Sequence, residues 1–327
     1  MKMDARPLTP PTGPGTGETP QDIMPHTGEP GYDICPAPKE LPPNYMINGY
    51  RIMHCLGEGG FGVTYLATDE LLQRRVVIKE NFPHCLCERR CGTLNVEYQS
   101  HIDPEDYQHA LNNFQREVRL LARLDHPNLL KIYAYFEAHN TSYFVTEFVD
   151  GMMLTDVVAD YLKHLHYFPQ QDLYSLMVRI LDALSYMHEH HILHLDIKPD
   201  NILISRDGRP VLIDMGAARD MTEDAPSVSV ETPFFSAPEQ GDPHLPQGPW
   251  TDLYAFAATL YCLLAGTPPP PSRQRALYDT ITPLAAMPTL RSRYNIQLLA
   301  SIDKAMSPAI EDRYESVAAW MNDLREN

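Results

Sequence analysis

His194-Leu195-Asp196-Ile197-Lys198-Pro199-Asp200-Asn201 places a carboxylate, an ammonium and a carboxamide within one octapeptide. Asp196 can accept the proton of an attacking hydroxyl. Lys198 can neutralise charge on a group in transfer, and Asn201 can offer an amide oxygen to a metal ion. Downstream, Asp214-Met215-Gly216 adds a second oxygen ligand. Two such ligands together with substrate oxygens suit a hard cation such as Mg²⁺. A run of unrelated polar loop residues does not account for the whole octapeptide. The chemistry that asks for this set is phosphoryl transfer, where positioning and charge neutralisation carry most of the catalysis.

Working upstream, Gly57-Glu58-Gly59-Gly60-Phe61-Gly62 fits G-x-G-x-x-G. Alone, the motif fits a dinucleotide loop or a plain glycine-rich β-turn equally well. Its flanks separate these readings. YRIMHCLGEGG and FGVTYLATDE both read as strands, so the glycines cap a hairpin and do not open a helix. Glycine there lets backbone N–H groups approach phosphates. RRVVIKE is a third strand ending near Lys79, whose flexible stem needs a carboxylate to fix it. Glu117 is the candidate, on a helix marked by Phe114, Val118, Leu121 and Leu124 and ended by His126-Pro127-Asn128. Taken singly, Lys79 and Glu117 are an ordinary exposed lysine and a solvated helical glutamate.

Elsewhere, residues 81–108 are polar, bear cysteines and fit no period. IYAYFEA and SYFVTEF read as strands joined at His139-Asn140. After Gly151 the pattern turns helical, with one stripe through Leu173, Leu176, Met177, Ile180, Leu181, Leu184 and Met187. ILIS and PVLID flank Asp207-Gly208 as short strands. Residues 1–45 are proline-rich and aperiodic and read as a disordered tail. Strands first and helices later predict an α+β protein with two lobes, 46–149 and 150–327.

The 327 residues carry 43 acidic against 26 basic groups, a net charge of −17, which disfavours nucleic acid or an anionic membrane surface as partner. No stretch reaches the length of a membrane helix, and MKMDARPLTP has no signal-peptide core, so a cytoplasmic protein is expected. Six cysteines are too few for a disulfide framework. Cys85, Cys87 and Cys91 cluster, and read either as reduced surface thiols or as a metal or redox site, although C-x-C-x₃-C is no standard zinc pair.

The order glycine-rich loop, Lys79, Glu117, HLDIKPDN, DMG and Ala237-Pro238-Glu239 resembles the eukaryotic-like (Hanks-type) serine/threonine protein kinases. GEGGFGVTYLA, IKENFP and TPFFSAPEQ look most like bacterial members. The resemblance covers about residues 46–327 and implies a bilobal kinase fold, an antiparallel-sheet lobe followed by a helical one. It implies ATP and Mg²⁺ as cofactors, with Mn²⁺ as a substitute ion, and protein substrates. Asp196 would be the base, and Asn201 and Asp214 the metal ligands. Lys79, Glu117, Lys198 and Thr232 would complete the catalytic set. Gly57, Glu58, Gly59, Gly60, Phe61 and Gly62 would cover the phosphates. Thr64, Val77 and Leu203 would sandwich adenine, Thr146 would be the gatekeeper, and Glu147 and Val149 would offer backbone groups. Leu121, Ile132, His194 and Met215 would form a stacked column, Glu239 would pair with Arg313, and Asp252 would bond catalytic-loop amides. The proline-rich tail is the visible candidate for docking a partner.

Some positions depart from the family pattern. Leu195 stands where many regulated kinases have arginine, Met215 where phenylalanine is usual, and His191 where glycine is common. Without the arginine an added phosphate lacks its usual partner, so activity independent of phosphorylation in loop 217–231 is expected, with Thr222, Ser227 and Ser229 as autophosphorylation sites. Two other readings remain at this point: a nucleotide-binding pseudokinase or scaffold, and a small-molecule kinase. Thr232 and Ala237-Pro238-Glu239 weigh against the second.

Overall fold

The chain folds as an α+β protein, an antiparallel sheet followed mainly by helices. The computed structural model describes residues 39–326 apart from 60–61, 91 and 223–231. Gly60, Phe61, Cys91, Ser227, Ser229 and the stretch before Lys39 therefore lie outside the described residues. The chain divides into two compact units. The sheet unit takes the described residues up to Asn112 and then Tyr133–Phe148, and the helical unit takes Asn113–Ile132 and everything from Val149 onward. The sequence reading drew a single seam near Asp150. In the structure residues 113–132 group with the later part, so the division falls inside a helix.

The sheet unit is built on strands β1 (Met46–Ile47), β2 (Tyr50–Gly59), β3 (Gly62–Asp69) and β4 (Arg74–Asn81), continued by β7 (Ile132–Ala138) and β8 (Thr141–Glu147). Their order in the sheet is β1-β2-β3-β4-β8-β7. His139 and Asn140, between β7 and β8, both have positive φ, 50° and 59°. That is the twist a two-residue hairpin turn needs, and it is more tolerable for His and Asn than for most residues. Alternation along the strands sends Val63, Tyr65, Val76, Ile78, Tyr143 and Val145 to one buried face.

Residues 81–108, unassignable from sequence, provide what covers that face. Strands β5 (Cys87–Arg89) and β6 (Val96–Tyr98) form a hairpin, and Phe82, Cys87 and Val96 enter the core with Leu41 and Ile47. The Phe, Val, Leu and Ile side chains each contribute about 1.5–3 kcal/mol on full burial. The expected disordered stretch thus yields its last residues to the fold. Leu41 is 2% exposed and its N–H donates to Tyr65 Oη at 3.1 Å. A proline-rich composition hides one buried leucine from a periodicity argument.

Helix α1 (Pro104–Leu121) begins well before the apolar stripe, with Glu105 and Asp106 in its first turn, where the helix dipole favours acids. It stops at Leu121 rather than running to His126, and Leu124 is buried in the turn that follows.

The helical unit adds β9 (Gly151–Met153), α2 (Leu154–Leu165), α3 (Gln170–Glu189), β10 (Ile192–Leu193), β11 (Ile202–Ser205), β12 (Pro210–Leu212) and β13 (Arg219–Asp220). Then come α4 (Pro249–Ala265), α5 (Ser272–Leu277), α6 (Pro288–Arg291), α7 (Ile296–Ala305) and α8 (Val317–Glu326). The whole predicted stripe of α3 is buried. Helix α4 is buried nearly all round from Thr251 to Tyr261, as expected for a central helix, and Gly266 closes it in the left-handed region at φ 74°. Among the described residues no helix is long and apolar enough to cross a membrane.

Candidate active site

Between β10 and β11 the chain makes one turn of 3₁₀ helix, Pro199–Asn201, and here the predicted loop residues converge. Asp196 is the hub. Lys198 Nζ donates to its Oδ2 at 2.8 Å, Asn201 Nδ2 donates to its Oδ2 at 2.9 Å and its carbonyl at 2.8 Å, and Thr232 Oγ1 donates to its Oδ1. The Asp196 side chain stays 14% exposed, so it is oriented without being sealed.

The loop is held from beneath by α4. Asp252 accepts the amides of His194 and Leu195 at 3.0 and 2.8 Å and a bond from His188 Nε2 at 2.8 Å. Burial alone would raise its pKa. The bonds from His188 and Leu195 outweigh that and hold the carboxyl below the usual carboxylate range. Leu195 adopts φ 63°, which costs a non-glycine residue about 1–2 kcal/mol. Gln240 Nε2 caps its carbonyl at 2.8 Å, fixing this conformation from the other side. His191 also has positive φ, 60°.

Asn201 and Asp214 are brought close through the backbone: Ile213 N donates to Asn201 O at 2.9 Å. Because the Asn201 amide nitrogen is committed to Asp196, its Oδ1 is left as the acceptor end. Asp214 sits in the left-handed region, φ 64°, with Oδ1 accepting Gly216 N at 3.2 Å. These are hard oxygen donors, and the set fits a divalent cation of the Mg²⁺ type. A Cβ added at Gly216 would lie 3.2 Å from Asp214 Oδ1 and 3.8 Å from Glu117 Oε2, which puts the Glu117 carboxylate beside this turn. Glu117 is 6% exposed, not a solvated helical residue. Of the expected column, Leu121, His194 and Met215 are buried and Ile132 is half-buried. In the same unit, Leu203 on β11 is half-buried and Val149 is 9% exposed.

In the sheet unit, register gathers the other candidates on one face. Thr64 is opposite Lys79, Val77 opposite Thr146, and Lys79 opposite Phe144. Lys79 Nζ lies 5.6 Å from the centre of the Phe144 ring. Gly57 and Gly59 lie in β2, and Gly59 pairs with Gly62 across the hairpin. A Cβ on Gly62 would lie 2.0 Å from the Glu80 carbonyl, so β3 and β4 can approach only with glycine there. Glu58 is exposed and pairs with His84 at 3.3 Å, and Glu147 closes β8 half-buried.

Glu239 and Arg313 form a bidentate pair at 2.7 and 3.0 Å, with both side chains essentially unexposed. Thr251 adds a bond to Glu239 at 2.9 Å. Cys85 is exposed whereas Cys87 points into the core, its thiol pushed up to about 12 by burial and then by the Glu80 charge. No cluster of three or more metal-ligating side chains occurs among the described residues.

The sequence reading missed His188, Gln240, Arg116, Arg123, Asp220, Glu80 and Arg89. Only Gln240 had a visible signal, directly after Ala237-Pro238-Glu239.

A family model described as protein kinase domain matches residues 50–317. The chain is 33% identical to Serine/threonine-protein kinase PknA of Nostoc sp., over 68% of this chain and 38% of that protein. It is 30% identical to Serine/threonine-protein kinase C of Synechocystis sp., over 88% of this chain and 51% of that one. It thus spans about half or less of these relatives. Among solved structures, the apo form of PpkA-294 is 33% identical with a TM-score of 0.77, covering 88% of this chain and all of that one, 100%. The Mycobacterium tuberculosis PknI kinase domain, 22% identical with a TM-score of 0.61 over 88% of this chain and 98% of its own, shares the fold.

Proposed function

The chain belongs to the protein kinase family, close to its bacterial members, and from that premise we propose that it transfers the γ-phosphoryl group of ATP to serine and threonine hydroxyls of proteins. The observation that carries the proposal is the three-donor setting of Asp196, a carboxylate oriented by Lys198, Asn201 and Thr232 and still accessible.

Asp196 takes the proton of the substrate hydroxyl as the hydroxyl oxygen bonds the γ-phosphorus, while the bond from that phosphorus to the bridging β-phosphate oxygen breaks and ADP leaves. The Lys198 ammonium lies beside that carboxylate and neutralises charge gathering on the transferring group. Asn201 and Asp214 would hold a divalent cation, Mg²⁺ or Mn²⁺, which would supply charge neutralisation on the phosphates. The family resemblance would set Lys79, with Glu117 as its partner, on the α- and β-phosphates together with the glycine-rich loop. By the same resemblance, Thr64, Val77 and Leu203 would enclose adenine, Thr146 would be the gatekeeper, and the backbones of Glu147 and Val149 would bond the adenine edge. Thr232 bonds Asp196 and, together with Lys198, favours serine and threonine substrates.

The test is transfer from γ-labelled ATP with Mg²⁺, native chain against Asp196→Asn. Labelled serine or threonine on the chain itself or on a basic protein, lost in the variant, is the expected result. ATP binding without transfer would replace the proposal with a pseudokinase, and label on sugars or aminoglycosides alone would replace it with a small-molecule kinase.

A further inference from the structure

Leu195 is buried and has no group to receive a phosphate, so something else must hold the chain after Asp214. The structure supplies a set of contacts of the chain's own. Strand β13 pairs with β10, Ile192 opposite Asp220 and Leu193 opposite Arg219. Met221 N extends the pairing with a bond to His191 O at 2.7 Å, made possible by the left-handed His191. The Asp220 side chain, 5% exposed, then uses both oxygens: Oδ1 accepts Thr222 N at 2.9 Å and Thr222 Oγ1 at 2.6 Å, and Oδ2 accepts Arg123 Nη1. Arg123 stands just past the end of α1, and its Nη2 reaches His190 O at 3.3 Å. Further up the same helix, Arg116 Nη2 donates to Ala218 O at 3.3 Å. Two arginines on either side of Glu117 therefore grip residues 218 and 220, while Glu117 itself lies beside Gly216.

We infer that Asp220 and Arg123 are positioning residues, a fixed clamp that ties the segment after Asp214 to the Glu117-bearing helix and to the strand leading into Asp196, with no phosphate required. The inference rests on the kinase reading of the site and adds its regulation. A carboxylate with two accepting oxygens facing a guanidinium does, with the chain's own charge, what an added phosphate facing an arginine does elsewhere. The bonds from Thr222 and from Arg123 hold the Asp220 carboxyl down at about 2, so it stays ionised at neutral pH. The Thr222 hydroxyl, expected as a phosphorylation site, is committed to this clamp as a donor.

The experiment uses the full chain, stripped by a phosphatase and verified phosphate-free by mass spectrometry. The stripped native chain is expected to transfer phosphate. Arg123→Gln and Asp220→Asn should each lower kcat by about three- to thirtyfold, with KM for ATP moving less than about twofold. The charge reversal, Arg123→Asp with Asp220→Arg, should recover most of the loss. Amide exchange over residues 218–222, which needs no activity, should speed up in each single variant and return toward native in the reversal. Single variants within about twofold of native in kcat, a reversal that rescues nothing, unchanged exchange, or a stripped chain that regains activity only on phosphorylation would each overturn the clamp. A native chain that transfers nothing in any state overturns the proposed function instead, and the exchange measurement still decides whether the clamp exists.

Discussion

Two carboxylates, one in each unit, receive three side-chain partners apiece and end in opposite situations. Glu80 in the sheet unit accepts from Tyr65 at 2.7 Å, Tyr143 at 2.5 Å and Arg89 at 2.6 Å, with no exposure at all, 0%. Asp196 in the helical unit accepts from Lys198, Asn201 and Thr232 and keeps part of its surface open. The number of donors therefore does not mark a reactive group; access does. A sealed carboxylate spends its bonds on offsetting its own desolvation, while an open one spends them on aim and keeps a lone pair for the substrate.

The sharpest way to break this comparison is to swap the assays. Asp196→Asn should lower transfer by about a thousandfold or more, while its melting temperature stays near that of the native chain. A large loss of stability would make Asp196 structural, like Glu80. Next in size, Arg89→Met leaves a fully buried carboxylate without its cation and should cost about 3–5 kcal/mol in chemical denaturation of the sheet unit. Arg313→Met should fall in the same range but near its top, because Arg313 also serves the carbonyls of Ser307 at 2.6 Å and Pro308 at 2.8 Å. A cost below that of Arg89→Met would show those carbonyls to be satisfied otherwise.

Smaller effects test the tyrosines around Glu80. Burial first, and then the Glu80 charge, push the Tyr65 and Tyr143 hydroxyls far above their usual value of 10.0. The folded state holds these protons more tightly than the unfolded chain, so their contribution is complete below about pH 10 and is lost as pH rises above it. Tyr143→Phe should flatten the alkaline decline in melting temperature; an unchanged decline would place its cause elsewhere. The smallest effect lies on the acid side. His139 bonds Tyr143 at 2.9 Å and Tyr45 at 2.9 Å, and burial lowers its pKa below 6.5. A lowered folded pKa gives stability that is present above that value and lost as pH falls below it. His139→Gln should reduce the drop in sheet-unit melting temperature between neutral pH and about pH 5.

The same contrast explains what was legible in the sequence. Asp196, Lys198, Asn201, Asp214 and Thr232 stand in short motifs whose chemistry can be argued letter by letter, and the strands and α3 follow from periods of 2 and 3.6. Glu80 and Arg89 carry no such signal. Their pairing depends on a hairpin of two three-residue strands inside a polar, cysteine-bearing segment, too short to show a period. Arg123 and Asp220 were hidden for a different reason: they lie 97 residues apart and are joined only when β13 pairs with β10. Buried Leu41 was masked by its proline neighbours. Local chemistry is visible in a sequence, whereas a contact made by tertiary closure is not.

Asp252 gathers the two amides that set the strained turn at Leu195, and the bond to His194 spans 58 residues. Seen during synthesis, this separation orders events in time. When Asp196 leaves the ribosome the residue that aims it has not yet been made, and α4 must be finished and packed before the left-handed turn can hold. The nascent chain therefore carries every side chain of the loop before the loop can hold this geometry, which waits until α4 is packed beneath it.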